Sequence, residues 1–467
     1  MPRASTGVTK RTSSKSEVLI PLVRAKGRLR AQIEDGIRQA VRSGRLSPNT
    51  GLPSSRLLAR DLGVSRGIVV GAYEQLTAEG FLVSRPGGST AIASRLKRVG
   101  GHPEPFALPP PRYDFKPGVP DVREFPWREW NRATKSALHA GTNQDLGYGD
   151  MRGSLVLRIR LAEYLGRVRA VDTVPNQIMI CGGVTQALGI AVKALIARGI
   201  DRMALEAPSH PDLRRLIAAA GASAVAVRVD ESGVVVRDLA NTGAKAVIVT
   251  PAHQFPTGAV LSGPRRHELV AWAAACDGFI IEDDYDSEYR YDGTSVGAIQ
   301  GLAPDRVIYT SSTSKILAPG LRLGWMCLPA PLLHAAIDTK RLADLGSPIL
   351  EQLIYAAFIE SGGLARHLRR TRLLYRARRD VLVRTLTALT SWRIEGIAAG
   401  LHLVAHLPVG SDERRIVTAA RRRDVGFHPL SDYRTTTSPS QNAALVFGYG
   451  HLTDQEIEDG VRQAFSR

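Results

Sequence analysis

Three cysteines in 467 residues, Cys181, Cys276 and Cys327, lie far apart in apolar or glycine-rich contexts. That is too few, and too scattered, for a disulfide framework or a zinc site, so buried reduced thiols are expected and no metal site is assigned. Long apolar runs are also missing. The longest candidate, ALGIAVKALIARGI, is broken by Lys193 and Arg198, and the start MPRASTGVTKRTSSKSEV is basic and polar where a signal sequence would be apolar. A cytoplasmic chain without a membrane partner is expected. No internal repeat is found. Acidic residues are scarce at one end: residues 1–100 hold 6 Asp and Glu against 18 Lys and Arg, whereas the remaining 367 hold 38 against 44, within a net charge of +18. A basic excess concentrated in one segment favours nucleic acid, through phosphate neutralisation and counterion release. What is not scarce is core material. At 44% hydrophobic content the chain can bury sizeable cores, and its length predicts two or more domains.

The basic segment has its own pattern. Leu29, Ile33, Ile37 and Ala40 share a helix face, RLSPNTGLPSS is rich in turn residues, and Leu57, Leu58 and Leu62 predict a short second helix ending at Gly63. Ser65 stands at an N-cap position. Val69, Ala72, Tyr73 and Leu76 then repeat at helical spacing, which leaves Ser65, Arg66 and Gly67 exposed at the start of a third helix. FLVSRPGGSTAIAS reads as two short strands around a Pro-Gly-Gly turn, a wing that carries Arg85. The order is that of a winged helix-turn-helix over residues 17–93, with double-stranded operator DNA as its expected partner.

Residues 94–112, rich in proline and glycine, predict a semi-rigid linker. From residue 113 to 467 apolar strands alternate with amphipathic helices: QIMICGG, RMALEAP, AKAVIVTP, GFIIEDD and RVIYTSS are the strands. Alternation of this kind predicts an α/β domain with a mainly parallel sheet, its ligands at the carboxyl ends of the strands. A smaller C-terminal α/β subdomain is expected over about 345–467.

The polar motifs fall at those strand ends. In CGGVTQAL, Gly183, Val184 and Thr185 open a helix and offer N–H groups to a phosphate. In IIEDDYDSEYRYDG, Asp283 is poised for a protonated ring nitrogen and Tyr285 for a phenolic oxygen. Metal binding is the rival use of this acidic run, but no histidine accompanies it at recognisable spacing. In TSSTSKILAPGLRLG, Lys315 offers an amine to a carbonyl, Ser312 and Ser314 add hydroxyls, and Arg322 adds a cation for phosphate. These are the parts that hold pyridoxal phosphate as an imine.

Two resemblances carry these readings further. GRLSPNTGLPSSRLLARDLGVSRGIVVGAYEQLTAEGFLVSRPGGSTAIA resembles the DNA-binding domain of GntR-type bacterial regulators, which implies operator contacts for Arg56, Ser65 and Arg66 and for the wing glycines Gly87 and Gly88. TPAHQFPTG, EDDYDSEYRYDG and SKILAPGLRLG together resemble fold-type I aminotransferases, and the whole chain resembles MocR/GabR-type regulators. The resemblance implies a pyridoxal phosphate cofactor on Lys315, with Asp283 at the pyridine nitrogen and Tyr285 at the ring hydroxyl. It gives the phosphate to Gly183, Val184, Ser312 and Arg322. Tyr148 of GYGDMRG would reach the cofactor of a partner subunit, hence a homodimer.

Two departures from the family pattern stand out. EAPSHPD has no aromatic where the family carries one, so His210 would cover the ring. SPSQNAALVFGYG lacks the arginine that clamps a substrate carboxylate in aminotransferases, Arg434 being the nearest candidate. Two readings follow: a transcription regulator that senses a small-molecule effector, either pyridoxal phosphate itself or an amino acid or amine, and a working aminotransferase with a DNA-binding appendage. The missing clamp and the winged domain favour the first.

Overall fold

The computed structural model describes residues 22, 27–85, 89–94, 109–291, 296–434 and 443–465. Its contacts divide into two compact units, Met1–Leu108 and Pro109–Arg467.

The first unit is built on three helices, α1 (Leu29–Arg42), α2 (Ser55–Leu62) and α3 (Arg66–Ala78), followed by the hairpin of β1 (Leu82–Arg85) and β2 (Ser89–Ile92). Apolar side chains at helical spacing meet in one core: Ile33 and Ile37 from α1, Leu58 from α2, and Val69, Ala72 and Leu76 from α3. The Ser54 hydroxyl caps α2 by accepting from Leu57 N, and Gly63 ends the helix in the left-handed region at φ 62°. Arg38 of α1 reaches Glu79 just beyond α3 at 2.7 Å. β1 and β2 are antiparallel, in register from Leu82↔Ile92 to Arg85↔Ser89. Gly87, Gly88 and the side chain of Arg85 lie outside the described residues, as do positions 17–21 and 23–26 of the expected domain and 95–108 of the expected linker.

The second unit opens with β3 (Tyr113–Asp114), α4 (Trp127–Ala140) and α5 (Leu155–Arg169). Then come β4 (Ile178–Cys181), α6 (Val184–Ile196), β5 (Arg202–Ala207), α7 (Pro211–Ala219), β6 (Ser223–Asp230), β7 (Gly233–Val234), the one-turn α8 (Val236–Leu239) and β8 (Ala246–Val249). The chain continues through α9 (Gly263–Ala275), β9 (Phe279–Asp283), β10 (Val307–Ser312), the one-turn α10 (Thr313–Ile316), β11 (Gly324–Cys327) and α11 (Ala330–Asp344). These strands form an eight-stranded sheet in the order β4-β11-β10-β9-β8-β5-β6-β7. The central strands β10, β9, β8, β5 and β6 are parallel, whereas β11 is antiparallel to both β10 and β4, and β7 to β6. Strand alternation splits the apolar runs between two cores: Ile248 and Ile281 join the α6 side with Leu188 and Leu195, and Val247 and Ile280 join the α9 side with Leu269 and Ala273.

The rest is α12 (Ile349–Glu360), α13 (Gly363–Leu389), β12 (Arg393–Glu395), β13 (His402–His406), α14 (Glu413–Arg422), β14 (Val425–Gly426), β15 (His428–Pro429), β16 (Ala444–Gly448) and α15 (Asp454–Phe465). A four-stranded sheet, β12-β13-β16-β15, forms here. β3 pairs in parallel with β14, tying the first segment of the unit to its last. No helix among the described residues is long and apolar enough to cross a membrane.

The arginines of α13 face more than solvent: Arg378 is buried against Asp121 at 2.8 Å, and Arg372 donates to Glu288 O at 2.9 Å. Trp127 is 72% exposed, its ring in a T-shaped contact with that of Phe125.

Candidate functional site

A cavity of about 460 Å³ opens at the carboxyl ends of β5, β8, β9 and β10. Parallel strands end with their polar residues pointing out of the sheet, and the turns that follow supply the lining. Val184, His210, Asp283, Tyr285, Ser312, Lys315 and Arg322 all line it, brought together from several strand ends and helix starts.

Lys315 is carried by α10, directly after β10. Its Nζ donates to Gly118 O at 2.5 Å. Burial pulls the ammonium below the ordinary lysine range, opposed by Asp286 and Asp283. Gly118 has φ 70°, and a Cβ there would lie 3.3 Å from Lys315 Nζ, so the turn that receives the lysine needs glycine.

Asp283 ends β9 with Oδ1 buried and without a hydrogen-bond partner among the described residues. Burial pushes its carboxyl up to about 7, with Asp284 adding to the effect. An orphaned acceptor in a low-dielectric pocket is the environment a protonated ring nitrogen would satisfy. The ligand-free chain bears the cost. With the carboxyl raised in the fold, the native state holds more protons than the unfolded state between the ordinary aspartate range and about pH 7, so stability falls as pH rises through that window. Asp283→Asn is therefore expected to raise the stability of the cofactor-free protein at pH 8 by roughly 1–3 kcal/mol, and to leave it nearly unchanged at pH 4.5. Urea unfolding at the two pH values checks this.

Tyr285 Oη donates to His253 O at 2.9 Å and lies 3.2 Å from His253 Nδ1. His253 Nδ1 is also 3.0 Å from Asp286 Oδ2, and its ring packs 4.8 Å from that of His402. The acidic run thus does have a histidine partner, 33 positions upstream, which spacing did not reveal. His253, Asp286 and His402 are buried with ligating atoms within 4.8 Å of one another. Glu206, at the end of β5, was also missed: it accepts from Thr250 Oγ1 at 2.7 Å and from Gln254 at 3.2 Å, and burial raises it to about 7.

An arginine and close backbones meet at the start of α6. Gly183 has φ 102°, and a Cβ on it would lie 3.0 Å from Arg322 Nη2. Arg322 Nη2 itself donates to Gly182 O at 2.5 Å. Ser312 Oγ accepts from Ser314 N at 3.3 Å, and Thr185 and Ser314 complete this corner of the lining. His210 caps α7, Nδ1 accepting from Asp212 N at 3.3 Å, with its ring 5.8 Å from that of Phe255 and its pKa lowered by burial. Tyr148 is 89% exposed and outside the cavity of its own chain. Arg434, the candidate clamp, is not part of the lining; its charge faces Glu413.

In the first unit, Arg56 on α2 and Arg66 at the start of α3 are exposed. Ser65 has extended backbone at the N-cap of α3, but its hydroxyl makes no capping bond.

Known proteins match both units. The family described as bacterial regulatory proteins, gntR family, matches residues 29–92, and aminotransferase class I and II matches residues 118–415. The HTH-type pyridoxine biosynthesis transcriptional regulator PdxR of Corynebacterium glutamicum is 35% identical over 92% of this chain and 95% of its own. The probable rhizopine catabolism regulatory protein MocR of Rhizobium meliloti is 32% identical, with 93% of each chain covered. Among solved structures, LysN, an α-aminoadipate aminotransferase of Thermus thermophilus complexed with N-(5'-phosphopyridoxyl)-L-leucine, superposes with a TM-score of 0.67 at 25% identity over 75% of this chain and 90% of its own. A DNA-reading unit and an aminotransferase-type unit, joined in one chain and matched end to end by such regulators, make this protein a member of the MocR/PdxR type of GntR-family HTH transcriptional regulators with an aminotransferase class I and II domain.

Proposed function

We propose that this regulator binds pyridoxal phosphate in the cavity of its second unit, reads operator DNA with its first, and changes its DNA binding in response to a small molecule. That molecule is pyridoxal phosphate itself, as the name of the Corynebacterium relative suggests, or a small amine or amino acid. The observation that carries the reading is the meeting of Lys315, the orphaned Asp283 Oδ1, Val184 and Arg322 in one cavity, with Gly183 packed against Arg322.

The cofactor, when bound, supplies an aldehyde for a lysine amine and an electron-withdrawing pyridine ring. On this reading Lys315 attaches it, Asp283 keeps the ring nitrogen protonated and Tyr285 faces the ring hydroxyl. Arg322, Gly183, Val184 and Ser312 hold the phosphate, and His210 with Phe255 flanks the ring. Arg56, Ser65 and Arg66, with the wing residues Arg85 and Gly87, contact duplex DNA. Sequencing the genomic fragments that the purified protein retains tests the reading. A few fragments sharing one sequence are expected, and uniform retention of all fragments would contradict it.

A homodimer is part of the same proposal. Trp127 and Leu138 on α4, Leu155, Val156 and Ile159 on α5, and Leu350 on α12 are exposed apolar side chains on three helices that pack together. Apolar surface of this extent marks an interaction face, and a two-fold axis lets one patch cover itself. Tyr148 lies a few residues before α5, where a second copy would receive it. Val156→Glu combined with Ile159→Glu is expected to weaken dimerisation at least 100-fold and give a monomer in sedimentation at micromolar concentration. A wild-type monomer under those conditions would exclude the dimer.

A further inference from the structure

We infer that Lys116 is the acid-recognition residue of this cavity: it binds the carboxylate of a small amine whose amino group reaches toward Lys315. The inference rests on the proposed cofactor reading and narrows its effector to amines that carry an acid group.

Three cations of Lys and Arg type line the cavity, and two are engaged. Arg322 donates to Gly182 O and Lys315 to Gly118 O. Lys116 has neither a hydrogen bond nor an ion pair among the described residues, although it shares the lining with Asp283, Glu206 and Asp212. Asp114, two residues before it, is taken by His428 at 2.9 Å. Lys116 lines the same cavity as Lys315 and His210, and its charge contributes to lowering the pKa of each.

The backbone that carries Lys116 is fixed from both sides. Phe115 N donates to Gly426 O at 2.9 Å, and Gly448 N donates to Phe115 O at 2.8 Å. A Cβ on Gly448 would fall 2.0 Å from Lys116 O, so only glycine at the end of β16 lets this turn lie against the strand. Two residues on, Gly118 turns through φ 70° and presents the carbonyl that holds Lys315. One anchored turn therefore displays a free ammonium and positions the lysine amine.

The chemistry favours a carboxylate. The cofactor reading assigns the Arg322 corner to phosphate, which leaves Lys116 for a second, separate anion. A single ammonium is a point charge with rotatable donors, unlike the bidentate fork of an arginine. It can hold an acid group without fixing its plane, which suits a site that binds a ligand more than one that turns it over.

The test uses the full-length protein loaded with pyridoxal phosphate. Glycine, β-alanine and L-alanine, and the matching amines without the carboxylate, methylamine and ethylamine, are titrated in turn, and the half-saturating concentration is read from the change in cofactor absorbance. For at least one pair the wild type is expected to respond to the acid at a concentration at least 10-fold lower than to the amine. Lys116→Ala should raise the value for that acid about 10-fold and leave the amine unchanged, and Lys116→Arg should keep the preference. Equal values for acid and amine in the wild type, or a Lys116→Ala change that affects both alike or neither, overturn the inference alone. A protein that takes up no cofactor overturns the reading beneath it as well.

Discussion

Lys315→Ala is expected to remove the visible absorption band of a lysine-linked cofactor from the purified protein, leaving at most the spectrum of loosely held free aldehyde. The amine must be unprotonated to attack a carbonyl, and burial shifts Lys315 toward that form at neutral pH. Gly118 O meanwhile keeps Nζ inside the cavity. The substitution leaves Arg322, Gly183, Ser312 and Asp283 in place, so weak retention through phosphate contacts is compatible with the account. Lys315→Arg separates charge from reactivity: it restores a cation but no attacking amine, and is expected to lose the band as completely as alanine does. A band unchanged in either variant would remove Lys315 from the role assigned to it.

Arg66→Ala and Arg56→Ala are expected to produce the second large effect, a loss of operator affinity with cofactor binding intact. Both side chains are exposed, and neither is in an ion pair among the described residues. Arg66 opens α3, the helix whose start is free of a side-chain cap, so Ser65 and Arg66 together form the part of the unit suited to enter a major groove. An arginine that reads a base contributes about 1–3 kcal/mol, or roughly 5- to 150-fold in affinity, confined to the specific site. An arginine that meets only phosphate lowers affinity for all sequences and reduces the salt slope by about one. Mobility shifts at two or more salt concentrations separate the two cases for each residue. Specific and nonspecific affinity both unchanged in both variants would take α2 and α3 out of the DNA contact.

Local pattern carried much of this structure. Val69, Ala72, Tyr73 and Leu76 announce α3 because a helix face repeats within eight residues, and IMIC, AVIV and FIIED announce strands buried on both sides. The Ser312–Lys315–Arg322 cluster was legible because its members lie within one short segment. Residues that meet only through sheet order were not. Gly118 and Lys315 are 197 positions apart, and His253 and Asp286 are 33 apart. β11 reads as the continuation of a proline-glycine loop, yet it inserts antiparallel between β10 and β4 and thereby brings Gly324 against Gly183. Arg378 is a further case, since nothing nearby in sequence signals Asp121, 257 positions away.

The cavity and the DNA-reading helix belong to separate compact units, and in the proposed function ligand in the cavity changes the affinity of the helix for DNA. By linkage, a ligand can do so only as far as it binds the two functional states differently, typically by 1–3 kcal/mol. Operator affinity measured with and without pyridoxal phosphate, for the wild type and for Lys315→Ala, tests this most directly. At least a 10-fold change is expected on adding pyridoxal phosphate to the wild type, less than a 2-fold change in Lys315→Ala, and the same nonspecific, salt-sensitive affinity in both, because that part comes from the first unit's charges. An equal response in the two proteins would contradict it, as would no response in the wild type accompanied by steady amino transfer at rates typical of enzymes.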